Sequence, residues 1–556
     1  MNKYIKYTIG AFACGFMLAS CDSKLDVTDP NKLTDEQIEN LLVNGTDENR
    51  KTILGGLASN MKGQLCKRDT RMYGFSNMSY DNEWAFAMMR DLQCGDIVYA
   101  DTRFIGGWGR YYRNDPSYAY WQADQYESCY GYWVGPSLII NEANKVLMFL
   151  TDDIIQNSGS ALLKGYKAYC LTIRGFGYME LMERFTPSYL HGGKEGKGMP
   201  IYTTYGYNKP VAPSSAEETW NFIKKDLSEA VSLFKESGIG TDGYTIGSTQ
   251  DQVYDIDCGI AQYMVARAAL QTGDYATCIA ACKDVLDHYG WPFIKEEYYG
   301  AANDRVQALC DKTGEVFADN NAFFSVAVNP ECMFGWTNDV NQYPWFYMDP
   351  FNSSTGGYEQ AYMQIDQSLY DKIAANDFRK DRFTTKKYMF PYFDIASKDT
   401  VWYPKEIPAY TSLKWAATVA SDQSVRTHDK TNSDVVLYRT SEVLLMMAEA
   451  QASSGDEAGA KSTLNRLLAA RTKAGAAALT CDTYPSMKGL SALDMVKLQW
   501  RLEMWAENGC NFFNHKRWNE VPAYEGTNHW SNTPVTIEHM TWEIPEKETL
   551  TNPYWK

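Results

Sequence analysis

Residues 94 to 121 read CGDIVYADTRFIGGWGRYYRNDPSYAYW. Aromatic rings alternate here with glycine and charge, without the apolar period of a core segment. That mixture suits the binding of polyhydroxylated ligands. Sugars have polar edges and weakly apolar C–H faces. A site for them needs exposed rings to stack on, plus amides, carboxylates or guanidinium groups to bond hydroxyls. Trp108, Tyr111, Tyr112 and Trp121 supply rings, and Asp96 and Arg113 head the polar partners, with Asp101, Arg103 and Asn114 nearby. A second stretch, FGWTNDVNQYPWFY, offers Trp336, Tyr343 and Trp345. The structural alternatives are that the first set braces a long loop or faces a partner. In the second, Pro344 holds a turn whose rings pack inward.

Other chemistries find less support. Gly238 to Gly243 (GIGTDG) matches G-x-G-x-x-G, but it follows a helical pattern and not a strand, so the phosphate-loop reading fails its context. The six histidines form no H-E-x-x-H, and no G-x-S-x-G elbow is present. Cys278 and Cys282 have no matching second pair, which argues against zinc. Asp251, Asp255 and Asp257 lack EF-hand spacing, so a structural calcium is not expected there and no cofactor is called for. Paired carboxylates for glycoside hydrolysis cannot be found by spacing, because their separation is spatial.

A third chemistry sits at the N-terminus. Lys3 and Lys6 precede an apolar run, Ile9 to Ala19, too short to span a bilayer. Leu18-Ala19-Ser20-Cys21 then resembles a bacterial lipobox, with Cys21 as the lipidated residue of the mature chain. The polar stretch that follows reads as a tether. Acyl chains stabilise attachment by about 0.8 kcal/mol per buried methylene, so more than one chain holds firmly. The alternative is a plain secreted protein with an incidental cysteine. Of 13 cysteines, Cys14 would leave with the leader and Cys21 would carry lipid; the remaining 11 cannot all pair. Cys170, Cys278 and Cys282 lie in apolar helical patterns, where buried free thiols are expected.

Composition narrows the partners. The net charge is −16 and the pI near 5.0, which disfavours a general nucleic-acid role. Aromatics reach 14% of 556 residues; many suit a core, whereas Tyr and Trp in polar loops suit binding.

The helical period dominates the elements that must position these groups. Gly259 to Leu286 reads as two helices joined at Gly273-Asp274, and Val435 to Leu467 repeats the pattern around Gly455. Aligning the two turns matches Ala266 with Ala448, Ala268 with Ala450 and Ala276 with Ala458. This spacing resembles tetratricopeptide hairpins. Shorter helical candidates are Ala161 to Phe185 and Ala216 to Phe234, the latter capped by Ser214 or Ser215. Residues 72–133 and 291–415 read as long loops with short helices and a few short strands, laid as one face over the helical scaffold.

Several segments together resemble the SusD/RagB family of outer-membrane nutrient-binding lipoproteins of Bacteroidetes. They are the lipobox and LDVTDPN, NEANKVL from Asn141, Arg174, Pro200-Ile201, and WNFIKKDLSEA from Trp220. They continue with Asp377-Phe378-Arg379, LYRTSEVLLMMAEA from Leu437, and Glu543-Ile544-Pro545 with Glu548 and Asn552-Pro553. After the last repeat Arg501, Glu503, Glu507, Gly509 and Arg517 fit the family pattern, whereas Cys510, Asn511 and Asn514 depart from it. That departure puts the local salt bridges in doubt. The resemblance implies a mostly α-helical fold with about four tetratricopeptide-like hairpins carrying irregular ligand-binding loops. It implies residues 1–20 as leader and 21–556 as one domain, with repeats near 161–288 and 434–473. It further implies a lipid-anchored, non-catalytic protein on the outer membrane. Such a protein captures oligosaccharides for a SusC-like TonB-dependent transporter. An oligopeptide-capturing relative and an all-helical glycosidase are the competing readings.

Overall fold

The computed structural model describes residues 33–66, 94–99, 127–206, 209–241, 256–303, 315–316, 320–336, 363–394, 399–416, 418–419, 434–507, 510–521, 525–529 and 536–556. Local sequence explains most element ends. α1 (Asp35–Asn44) starts at a Thr34–Gln37 capping box and is followed by α2 (Asp47–Cys66). β1 (Ile97–Tyr99) and α3 (Glu127–Leu147) come next, then α4 (Asp152–Ser158). α5 (Ala161–Phe185) is capped by Ser160. α6 (Ala216–Ser237) opens on a Ser215–Glu218 capping box and stops at left-handed Gly238. α7 (Cys258–Thr272) and α8 (Tyr275–Tyr289) form a hairpin whose turn is left-handed Gly273 followed by Asp274, the N-cap of α8.

The chain then becomes strand-rich. β2 (Glu315–Val316), β3 (Cys332–Trp336) and β4 (Met363–Ile365) precede α9 (Gln367–Asp371). β5 (Tyr388–Asp394), β6 (Asp399–Ile407), β7 (Thr418–Val419) and β8 (Val435–Arg439) follow. The described strands pair as four antiparallel two-stranded ribbons: β1–β4, β2–β7, β3–β8 and β5–β6. α10 (Thr440–Ser453) and α11 (Glu457–Ala470) form a second hairpin, followed by α12 (Ala492–Glu503), α13 (Cys510–Trp518) and α14 (Glu546–Thr551).

α5 is the axis of the N-terminal half, packed between α3 and α6. Close approach depends on two of its glycines. A Cβ on Gly175 would lie 2.8 Å from Leu227 of α6, and one on Gly177 2.8 Å from Ile140 of α3. The matched alanines divide. Ala266, Ala268, Ala448 and Ala450 are fully buried, as close packing requires, but Ala276 and Ala458 face solvent.

Two boundaries differ from expectation. Val435 to Arg439 is a strand, not the first turn of a helix, because β-branched and aromatic residues there pair with β3. The first loop region reaches only to 126, since Glu127 already begins α3. Nine described cysteines, Cys170, Cys278 and Cys282 among them, are buried and form no disulfide. Among the described residues no helix is long and apolar enough to cross a membrane.

Candidate functional site

Two of the strands adjoin the candidate stretches in sequence. β1 ends at Tyr99, nine positions before Trp108, and β4 begins at Met363, 18 positions after Trp345. Tyr99 pairs with Met363, and Ile97 with Ile365. The ribbon therefore joins residues 97–99 to residues 363–365. Trp336 closes β3 opposite Val435. Trp108, Tyr111, Tyr112, Arg113, Trp121, Tyr343, Trp345 and Cys21 lie outside the described residues.

Asp96 needs correction. It was expected among the ligand contacts, yet its carboxylate is 1% exposed and faces inward. Arg501 of α12 donates to it from Nε at 3.0 Å and from Nη2 at 2.6 Å. The Asp96 carbonyl accepts from Trp505 Nε1 at 2.8 Å and from the Asp366 backbone N–H at 3.0 Å. Burial raises the Asp96 pKa, and Arg501 opposes that shift. The residue holds the root of β1 against α12 and is not offered to a ligand.

Beneath the ribbons lies a buried ionic centre. Glu503, at the end of α12, accepts from Arg439 at 2.7 Å, Arg471 at 2.8 Å and Arg379 at 3.0 Å. Glu331 accepts from Arg439 at 2.6 Å and Arg471 at 2.7 Å. Glu507 binds Arg439 Nε at 2.6 Å and also Lys414. Asp377 closes the set on Arg379 at 2.6 Å. Four carboxylates thus meet four cations. Burial opposes ionisation of Glu331 and Glu503, but Arg471 and Arg439 outweigh it and hold both below the usual carboxylate range. Burial lowers the Lys414 pKa against the pull of Glu507. The centre ties β3 and β8 to α11 and α12, so it anchors the ribbons and is itself sealed from solutes.

Around α13 the doubted salt bridges are present despite the sequence departure. Arg517 donates to Glu449 from Nε and Nη2 at 2.9 and 2.7 Å, and to Asn514 at 2.7 Å. The earlier decoys find structural roles. Asp257 caps α7 through the Ile260 N–H, Gly238 ends α6, and Asp251, Asp255 and Gly243 lie outside the described residues. Among the described residues no cluster of His, Cys, Asp and Glu could hold a metal ion. Sequence reasoning missed Glu331 and Lys414, which sit in irregular chain where no period marks them.

Comparison with known proteins now bears on this architecture. Residues 341–553 match the SusD family model. The fold is that of the SusD family. A SusD-like carbohydrate binding protein from Bacteroides vulgatus superposes with a TM-score of 0.64 at 18% identity, over 90% of this chain and 96% of that one. A SusD superfamily protein from Bacteroides thetaiotaomicron gives 0.60 at 18% identity, over 90% and 98%. One from Parabacteroides distasonis gives 0.61 at 16% identity, over 92% and 98%. No curated protein matches the sequence. The SusD-like fold is mostly helical here, and the segment matched by the family model holds the β1–β4 partner strand, the second hairpin and most of the ionic centre.

Proposed function

We propose that this SusD-like protein is a non-catalytic glycan-binding lipoprotein of the cell surface. It captures oligosaccharides on an aromatic loop face and passes them to a SusC-like TonB-dependent transporter in the outer membrane. The observation that carries the reading is the β1–β4 ribbon. It pairs residues 97–99, upstream of the Trp108–Trp121 stretch in sequence, with residues 363–365, downstream of Tyr343 and Trp345. Aromatic side chains are stiff and lose little freedom on binding, which favours stacking against sugar faces. The SusD-like Bacteroides vulgatus protein is described as carbohydrate binding, which supports the same ligand class. The carboxylates of the ionic centre support a non-catalytic role, because each is already bridged by Arg or Lys. Cys21 is the proposed lipid attachment point, and 21–556 the mature domain.

The test is calorimetry of the protein lacking residues 1–21 against a panel of polysaccharides and peptides, with Trp108→Ala and Trp345→Ala in parallel. Binding to a glycan of unchanged length, weakened at least tenfold in one variant, is expected. One lost base-like or sugar-like stacking contact of about 1.4 kcal/mol gives that factor. Binding to peptides alone, or shortening of the glycan, would overturn the reading.

A further inference from the structure

α13 buries a polar face. Asn514 and His515 stand three and four positions after Asn511, so the three side chains emerge on one side of this nine-residue helix. Asn511, Asn514 and His515 are 1, 3 and 4% exposed. Trp518 continues the same side. Lys497 of α12 lies 5.6 Å over its ring, and Glu449 of α10 accepts its Nε1 at 2.8 Å. The face therefore turns towards α10 and α12. Asn511 and Asn514 are two of the residues that depart from the family pattern.

Five polar atoms on this face have no hydrogen-bond partner among the described residues: Asn511 Oδ1 and Nδ2, Asn514 Nδ2, and both ring nitrogens of His515. Asn514 Oδ1 alone is used, accepting from Arg517 at 2.7 Å. Folded proteins keep such atoms rare, because a buried donor or acceptor left dry loses its hydration without return. The chemistry of the five atoms selects what sits between them. Burial, with Arg501 and Lys497 adding to it, pushes the His515 pKa down to about 3. The Glu520 backbone opposes that shift without reaching hydrogen-bond geometry. The ring is therefore neutral, with a hydrogen on one nitrogen and a lone pair on the other. Donors and acceptors are thus mixed on one face. A cation would meet the amide hydrogens, and an anion would meet the lone pairs of Asn511 Oδ1 and His515. Water donates and accepts, so it suits both.

We propose that Asn511, Asn514 and His515 form a buried water-binding site, and that a small cluster of ordered water is a fixed part of the fold under α13. The spacing suits it. Residues three or four apart on a helix hold their Cβ atoms about 5–6 Å apart. Two hydrogen bonds of about 2.9 Å through one oxygen cover that span. A buried water takes about three polar partners. Two waters, bonded to each other and sharing these atoms, use all five. The neighbouring carboxylate does not compete, because Glu449 is held by Arg517 and by Trp518.

The test is a crystal structure of the full-length protein at a resolution that shows ordered water, joined to oxygen-17 relaxation dispersion, which counts long-lived internal waters in solution. Water density is expected within about 3.2 Å of at least two of the three side chains. Asn511→Leu with His515→Phe replaces the polar partners by apolar groups of similar size. The double variant is expected to lose that density and to lower the internal-water count, with the circular dichroism of the parent. Dry surroundings at Asn511 and His515, direct hydrogen bonds from these atoms to other parts of the chain, or an unchanged count in the variant overturns the proposal. If the variant does not fold, the density around the three side chains of the parent decides alone.

Discussion

Glu503 and Glu442 are both buried glutamates, yet their surroundings drive them apart. Glu503 receives three guanidinium groups and stays ionised well below the usual range. Glu442, on α10, accepts the Tyr263 hydroxyl at 2.8 Å, and its Oε2 has no hydrogen-bond partner. Burial lifts its pKa to about 7, with Arg267 opposing more weakly. Burial, helped by the nearby Glu507 charge, thus raises one carboxylate, while close cations hold the other down. Glu503 is held ionised by its cations, whereas Glu442 is pushed towards the neutral form.

The sharpest way to break this contrast is Glu503→Gln. It leaves Arg379, Arg439 and Arg471 with too little negative charge in a dry interior. A loss of about 3–5 kcal/mol is expected in urea unfolding. A loss below about 1 kcal/mol would mean that Glu331 and Glu507 carry the centre without it.

Glu442→Gln tests the other side. A folded pKa raised from 4.5 to about 7 favours the neutral form. Its contribution to stability is fully present below pH 4.5 and is lost as pH rises towards 7, an effect of about 3 kcal/mol. The variant is expected to match the parent at pH 4 and to exceed it at pH 8. Equal stability of the two proteins at both pH values would show that Glu442 titrates normally.

Asp96→Asn weakens the root of β1. It removes a charge-assisted pair whose Arg501 side chain is 19% exposed, so about 1–3 kcal/mol is expected in the same unfolding measurement. If Asp96 were a ligand contact instead, glycan affinity would fall with stability unchanged. At the small end stands Lys283→Ala, which breaks an exposed pair with Asp287 on α8. Its unfolding midpoint is expected to stay with the parent, as exposed helix pairs contribute little.

Much of the helical scaffold was legible. Ser215 caps α6 and Ser160 caps α5 by side-chain hydrogen bonds that local sequence dictates. The Gly273-Asp274 turn follows from a residue that takes positive φ and a side chain that caps the next helix. The VVLYR segment misled because a continuous apolar run has no period to separate strand from helix, and its pairing partner Cys332–Trp336 lies about a hundred residues away. Asp96 misled for a similar reason. Beside glycine and aromatic residues it reads as solvent-facing, and its partner Arg501 is 405 positions distant. The ionic centre is assembled the same way, since Glu331 and Arg471 are 140 positions apart. Local pattern reaches the scaffold; the fastening of the candidate site is a long-range fact.

That distance has a consequence for how the protein is made. Synthesis runs from the N-terminus, so α5 and α6 are complete long before Glu503 and Glu507 exist. Until residues 492–507 emerge, Arg439 and Arg471 have only Glu331 to meet, and the dry interior around them cannot close. The last carboxylates to arrive act as a clasp on the whole chain. A copy ending shortly before α12 is expected to leave Arg439 and Arg471 with Glu331 as their only carboxylate among the described residues.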